Sequence, residues 1–399
     1  MLARLAQSSL IILLGFHLYQ LTRDPLTLGW LGLVQAIPAI SLVLYGGHVA
    51  DRNSRRTMVL LARGGYIVIS LALAVAALTL TTSLVPVIYA VAFLLACAGA
   101  FASPALAGLE AQVVPQQQAI RAVSVLGSLS QAAGLAGPVI GSFAFEVLGP
   151  AATYAIISAL FAISVIAIFL GVPHQPAPPR SAGDGAIARI VEGIRTVWGD
   201  QILIGSMALD LFAVFFGGAA ALLPIFATDI LHVGPTGFGV LRASIAVGSL
   251  AAMLVAVRHP PRVHAGLAFH LAIAGFGIAI ITFALSRNYL LSAAALACAG
   301  ACDGVSMVVR QAIQRLLVPG PMRGRISAVR SVFISSSNEL GDFESGVLAN
   351  FVGAVAAVWI GGVVTLGVVA ITAWRAPRLR RLDLAALERG GAVLDKLKA

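Results

Sequence analysis

Apolar residues do not alternate with polar ones along this chain; they run on continuously, and such runs recur from one end to the other. A helix rising about 1.5 Å per residue crosses ~30 Å of hydrocarbon in about twenty residues. Backbone amides inside lipid must be satisfied internally, which leaves helices or closed barrels. Without alternation, helices are the prediction. Six spans are expected at about 3–22, 27–50, 57–80, 85–109, 120–145 and 151–171. Six more are expected at about 202–229, 236–257, 264–285, 289–313, 324–350 and 353–374. A Pro-rich polar stretch from Val172 to Asp200 separates the two sets. The pattern predicts an all-α integral membrane protein: an N-terminal six-helix bundle (1–171), a cytoplasmic linker (172–200), a C-terminal six-helix bundle (201–375) and a basic cytoplasmic tail (376–399). The apolar core of the first span, Leu10 to Leu21, ends in Thr-Arg-Asp-Pro with no small-residue cleavage site. It is therefore read as a span rather than a signal peptide.

Composition supports this picture. Hydrophobic residues make up 59% of the 399 positions and charged residues 11%, whereas soluble domains carry about a quarter charged residues. The net charge is +10 and the pI about 10.4, values that in a soluble protein would suggest nucleic acid. Here they have another cause. With the N-terminus cytoplasmic, all 26 lysines and arginines except Arg23, Arg242 and Arg287 fall at the cytoplasmic side. A positive-inside bias of this strength predicts an even span count and both termini in the cytoplasm of a cell with an inner or plasma membrane. Shifting the frame by one span destroys it. No nucleic-acid partner is needed.

Candidate chemistry starts with Gly47-His-Val-Ala-Asp51-Arg52-Asn-Ser-Arg55-Arg56, between the second and third spans. A glycine at a helix end lets another backbone approach. An acid one turn later can face the positive N-terminus of a neighbouring helix, and arginines hold the loop at lipid headgroups. A plain basic loop accounts for the arginines but not for Gly47 and Asp51 at this spacing. In the fifth span, Gly134-Leu-Ala-Gly137-Pro138-Val-Ile-Gly141 sets small residues at three- and four-residue intervals for close helix contact, with a proline that frees one backbone acceptor.

These residues resemble the major facilitator superfamily, whose signature in the first loop is G-x-x-x-D-R-x-G-R-R. Ser54 stands where the signature has glycine. The fifth-span motif resembles the family's G-P-x-x-G-G antiporter motif, with Ser142 in place of the second glycine. Asp210-Leu-Phe-Ala-Val-Phe-Phe, Leu241-Arg-Ala, Asp303-Gly-Val-Ser and Ser337-Asn-Glu-Leu-Gly-Asp resemble its enterobactin-exporter-like branch. The resemblance implies two bundles related by a pseudo-two-fold axis, alternating access, and secondary efflux of a small molecule by a monomer. It also implies a conformational latch built from Gly47, Asp51, Arg52 and Arg56, which in the family ties the second helix to the eleventh. The loop between the eighth and ninth spans, Arg258-His-Pro-Pro-Arg262, lacks the acid of a second latch.

Charges within hydrocarbon cost several kcal/mol unless paired or hydrated, so they mark function or structural ion pairs. The candidates are Asp210, Arg242, Asp303, Glu339 and Asp342. Glu339 and Asp342 are three residues apart and share a helix face. Asp303 and Arg310 lie two turns apart on one face. Two readings stand: Glu339 or Asp303 carries the coupling proton while Asp210 and Arg242 gate or recognise substrate, or Asp210, Arg242, Asp303 and Arg310 form a structural ion network. The fourth span lacks the arginine that many proton-coupled exporters of the family carry, which leaves the coupling ion open.

Other classes fare worse. A nucleotide-driven pump needs a phosphate-binding lysine in a Gly-rich loop, and the only lysines are Lys396 and Lys398 in the tail. No clustered nucleophile and base or metal-ligand set suggests an enzyme, a metal or a cofactor. An uptake permease and a non-transporting receptor or scaffold remain as alternatives to an exporter. The tail, with Leu382, Leu384, Leu387 and Leu394 among its basic residues, either lies on the anionic leaflet as an amphipathic helix or is solvated.

Overall fold

The computed structural model describes residues 1–80, 83–114, 119–173, 195, 198–217, 219–261, 263–318 and 323–386. Most of the expected linker and the last part of the tail lie outside this set. The described residues form helices and connecting turns. In the first half these are α1 (Leu2–Thr22), α2 (Pro25–Ser41), α3 (Val43–Arg52), α4 (Arg55–Thr79), α5 (Leu84–Val113) and α6 (Ala119–Gly171). The second half comprises α7 (Gln201–Phe216), α8 (Ala219–Ile225) continued by a π-helical turn (Phe226–Ile230), α9 (Gly234–Arg258), α10 (Ala265–Leu285), α11 (Tyr289–Leu317), α12 (Arg323–Val352), α13 (Ala354–Arg375) and α14 (Pro377–Arg380).

Each expected span falls on helix: ten on a single helix or part of one, the second on α2 and α3, and the seventh on α7 and α8 with its π-helical turn, broken after Phe216. Among the described residues, nine helices are long and apolar enough to cross a membrane. Nine rather than twelve meet that measure for physical reasons. The second expected span is divided at Leu42 into α2 and α3. The fifth and sixth run together as α6, interrupted only at Gly149. The eleventh, α12, carries three acids and three arginines, which lower its hydropathy.

Local chemistry sets the breaks. Asp24 caps α2 by accepting from the Leu26 N–H at 2.9 Å, with Pro25 at the first helical position. Asp200 caps α7 through the Ile202 and Leu203 N–H groups. The two halves use the same device between their last two spans: Gly149 has φ 80° and Gly353 φ 85°. Both lie in the left-handed region that suits glycine.

The chain forms two compact units, one of residues 1–183 with 221–243, the other of residues 184–220 with 244–399. In the first, the His17 Nδ1 and Tyr154 hydroxyl lie 3.0 Å apart, enclosed by Phe16 and Phe145. In the second, Leu203, Leu209, Phe269, Val309 and Ile313 form the core together with Leu379, Leu382 and Leu384. These last three belong to the tail. It therefore neither floats free nor inserts these leucines into the leaflet; up to Leu384 it folds back into its own bundle.

Candidate functional site

Three intramembrane charges meet in the second unit. Asp210 sits on α7, and Asp303 and Arg310 sit two turns apart on α11. The Arg310 guanidinium pairs with Asp210 through Nη1 and with Asp303 Oδ1 through Nη2 at 3.4 Å. Arg310 Nε also donates to the Ser306 carbonyl at 3.4 Å. One cation thus sits between two carboxylates, and the group carries a net negative charge when both are ionised. The carboxylates are not equivalent: the Asp210 side chain is 9% exposed and that of Asp303 38%. Leu203, Leu211, Ile326 and Phe333 share a lining with Asp210 and Arg310, and in that apolar setting the pair's attraction is little screened and an unpaired charge is expensive. Asp210, Arg310, Ser206 and Gln314 also line a cavity of about 30 Å³, which has room for a water molecule with several polar partners.

Sequence spacing puts Asp303 and Arg310 on one face, and the structure adds Asp210 from α7. Arg242 lies half-buried on α9 and belongs to the first unit. Glu339 and Asp342 are half-buried on α12. Among the described residues, Glu339 carries no hydrogen bond or ion pair.

The signature loop joins α3 to α4. Ser54, where the family has glycine, has φ −61°, a value any residue adopts, so the departure costs nothing in backbone strain. Arg55 donates to the Gly108 carbonyl of α5 at 3.0 Å. Arg56 donates to the Phe169 carbonyl of α6 at 2.8 Å and lies 5.3 Å from that residue's ring centre. Farther along α4, Arg63 donates to the Ser164 hydroxyl. The arginines therefore fasten α4 to its neighbours within the first unit. Gly47 is half-buried on α3 and Arg52 exposed; the side chain of Asp51 lies outside the described residues.

The Gly137-Pro138-Val-Ile-Gly141 face is a seat for α1. A Cβ on Gly137 would collide with Ser8 Oγ and come within 2.8 Å of the Leu5 carbonyl. One on Gly141 would come within 2.7 Å of Ser9 Cβ. The Ser9 hydroxyl donates to the Gly137 carbonyl at 2.7 Å. Pro138 has no N–H to offer the preceding turn of α6. Serine hydroxyls of α1 bond carbonyls that precede it, Ser9 that of Gly137 and Ser8 that of Ala133 at 3.2 Å.

A second polar cluster escaped sequence reasoning. Asp229, in the π-helical turn, accepts from the Tyr19 hydroxyl and pairs with Arg23 at 2.6 Å. Glu146 accepts from the Thr236 N–H at 2.8 Å, at the N-terminus of α9. Together they fasten residues 229–236 to α1 and α6. The Arg23–Asp229 pair is exposed, so its loss should cost about 1 kcal/mol or less. In Asp229→Asn, the melting temperature is expected to stay nearly constant while thiol labelling of a Val233→Cys probe rises severalfold. Unchanged labelling would show that the pair fastens nothing.

The Major Facilitator Superfamily matches residues 1–267, and the chain belongs to this family of membrane transporters. A multidrug efflux pump, Tap, of Mycobacterium tuberculosis is 26% identical over 263 residues, 63% of this chain. That match spans about 60% of the pump's own length. Its namesake from Mycolicibacterium fortuitum is 28% identical over 88% of this chain and 87% of that protein. The enterobactin exporter EntS of Escherichia coli is 25% identical over 78% of this chain and 73% of its own. Among solved structures, a POT family transporter in complex with 5-aminolevulinic acid superposes with a TM-score of 0.77 at 11% identity, over 95% of this chain and 94% of that one. The nucleoside transporter NupG superposes with a TM-score of 0.70 at 14% identity, over 95% and 97%. At those identities the superpositions speak for the fold. The shared fold is all-helical, and the family match together with the apolar helices makes the chain a multi-pass membrane protein.

Proposed function

We propose that the chain is a secondary active transporter that exports a siderophore- or drug-like small molecule across the inner or plasma membrane, coupled to protons by alternating access. The observation that carries this reading is the Asp210–Arg310–Asp303 group in a membrane-spanning bundle. A fixed ion pair needs one carboxylate, and here a second, more accessible one shares the cation. Protonating Asp303 leaves Arg310 with Asp210 alone; deprotonating it returns a net negative charge to the bundle core. That cycle converts proton binding into a change in bundle electrostatics without leaving Arg310 unpaired. The exporters Tap and EntS among the relatives support the outward direction.

The moving parts in this reading are the bundles 1–171 and 201–375, joined by the segment 172–200, with both termini cytoplasmic and the chain acting as a monomer. Gly47, Asp51, Arg52 and Arg56 serve as the conformational latch. Opening of the end that holds residues 229–236 requires the Tyr19, Arg23 and Glu146 bonds to break. Glu339 and Asp342 supply a second acidic pair, and Glu339 is the candidate for a relay proton because no cation neutralises it among the described residues.

The test is reconstitution. In proteoliposomes with an imposed pH gradient, Asp303→Asn is expected to retain substrate binding and lose gradient-driven accumulation. Glu339→Gln is expected to change the proton-to-substrate ratio or abolish coupling. Unaltered coupling in Glu339→Gln removes that residue from the mechanism.

A further inference from the structure

Between α7 and α13 lies a groove of about 480 Å³, walled by Ile204, Ala208, Phe212 and Phe216 on one side and Val368 and Ile371 on the other. Its one hydroxyl, Thr372, already donates to the Val368 carbonyl at 2.6 Å. The walls therefore make no polar demand along their length. Polarity is confined to one end, where Gln201 and Arg375 close the groove and Gln201 Nε2 donates to the Arg375 carbonyl at 3.2 Å. Trp374, 73% exposed, stacks under the Arg375 guanidinium at 4.9 Å. A tryptophan beside an arginine at the end of an apolar helix is the composition of a membrane–water interface.

The segment that follows presents more positive charge. Ala376, Leu379, Leu382 and Leu384 are buried in the bundle, while Arg378, Arg380 and Arg381 face outward. The backbone is held as well: the Gly266 N–H donates to the Leu382 carbonyl at 3.1 Å. Any Cβ at Gly266 would collide with the Leu379 carbonyl. The arginines thus stand on an ordered strap rather than on a loose tail. None of Arg375, Arg378, Arg380 and Arg381 forms an ion pair among the described residues. Arg375 closes one end of the apolar groove, and three further exposed arginines without ion pairs among the described residues follow it within six positions; together they complement one class of ligand.

We propose that the α7–α13 groove and the Arg375–Arg381 strap form a binding site for an anionic phospholipid, acyl chain in the groove and phosphate among the arginines. The site does not depend on the direction of transport. A basic residue near an anionic bilayer surface strengthens attachment by about fivefold each, so four should give a clear preference for anionic over zwitterionic lipid.

The experiment uses the purified, delipidated full chain in detergent, titrated with phosphatidylglycerol or phosphatidylcholine while its thermal unfolding is followed. Phosphatidylglycerol is expected to raise the melting temperature by several degrees and phosphatidylcholine much less. Replacing all four arginines with glutamine should weaken the phosphatidylglycerol response at least tenfold in lipid concentration. The exposed positions leave the lipid-free melting temperature near wild type. If the fourfold variant does not fold, Arg375→Gln against the charge-retaining Arg375→Lys gives the same comparison. Ala208→Trp, which fills the groove, should reduce binding of both lipids. Equal responses to the two lipids, or an unchanged response in the arginine variants, overturn the proposal. So does an Ala208→Trp variant that keeps its lipid response but loses export, which would assign the groove to the transported compound, or one that changes oligomeric state, which would assign it to a second copy.

Discussion

Replacing Arg310 with leucine is expected to destabilise the protein by about 3–5 kcal/mol and to abolish transport, because it leaves two carboxylates in an apolar core without their shared cation. The cost comes from the abandoned acids rather than from the arginine itself. Asp210 shares its cavity lining with Leu203, Leu211 and Ile326, and a side chain only 9% exposed cannot replace its lost partner with bulk water. A triple variant, Asp210→Asn with Asp303→Asn and Arg310→Gln, removes every charge at once. It should regain most of the lost stability while remaining inactive. Thermal unfolding in detergent and transport in vesicles separate the two effects. Recovery of both stability and transport in the neutral triple would show that the group is structural filler.

Substituting valine for Gly137 should be nearly as damaging by a different mechanism. The new Cβ would collide with Ser8 Oγ, which can rotate away, and would meet the Leu5 carbonyl at 2.8 Å, which cannot move without its helix. α1 would have to shift, and the Ser9 bond to the Gly137 carbonyl would break with it. Overpacking of this kind typically costs about 1–3 kcal/mol, to which the lost buried hydrogen bond adds about 1 kcal/mol. Because α1 also carries Tyr19 and leads into Arg23, the cluster around Asp229 should loosen as well. Gly137→Ala should show the same loss at smaller size, read as reduced melting temperature and reduced export.

Much of this architecture was legible in the order of residues. Hydrocarbon imposes so strong a demand on apolar length that the spans could be drawn from hydropathy alone. The spacing of Asp303 and Arg310 is enough to place them on one helix face. Helix periodicity says nothing about which helices neighbour one another, so the partnership of Asp210 with Arg310 stood in only one of the two readings. The same limit concealed Asp229, whose partners Tyr19 and Arg23 lie some two hundred residues earlier in the chain. The break of the seventh span was missed because Pro224 is tolerated within α8 and the interruption falls at Gly217, where α7 ends. The tail misled for a related reason. Leucines spaced among arginines suit a leaflet or a bundle end equally well, and only the close approach permitted by Gly266 decides between them.

Gradient-driven export through the acid pair on Arg310 is the claim on which the functional account turns. Its most direct test measures accumulation of ethidium, tetracycline and enterobactin in inside-out vesicles made acidic within, comparing the wild type with Asp303→Asn. The account predicts accumulation of at least one compound that a protonophore collapses and that the variant lacks. Accumulation that survives both the protonophore and the substitution would contradict it.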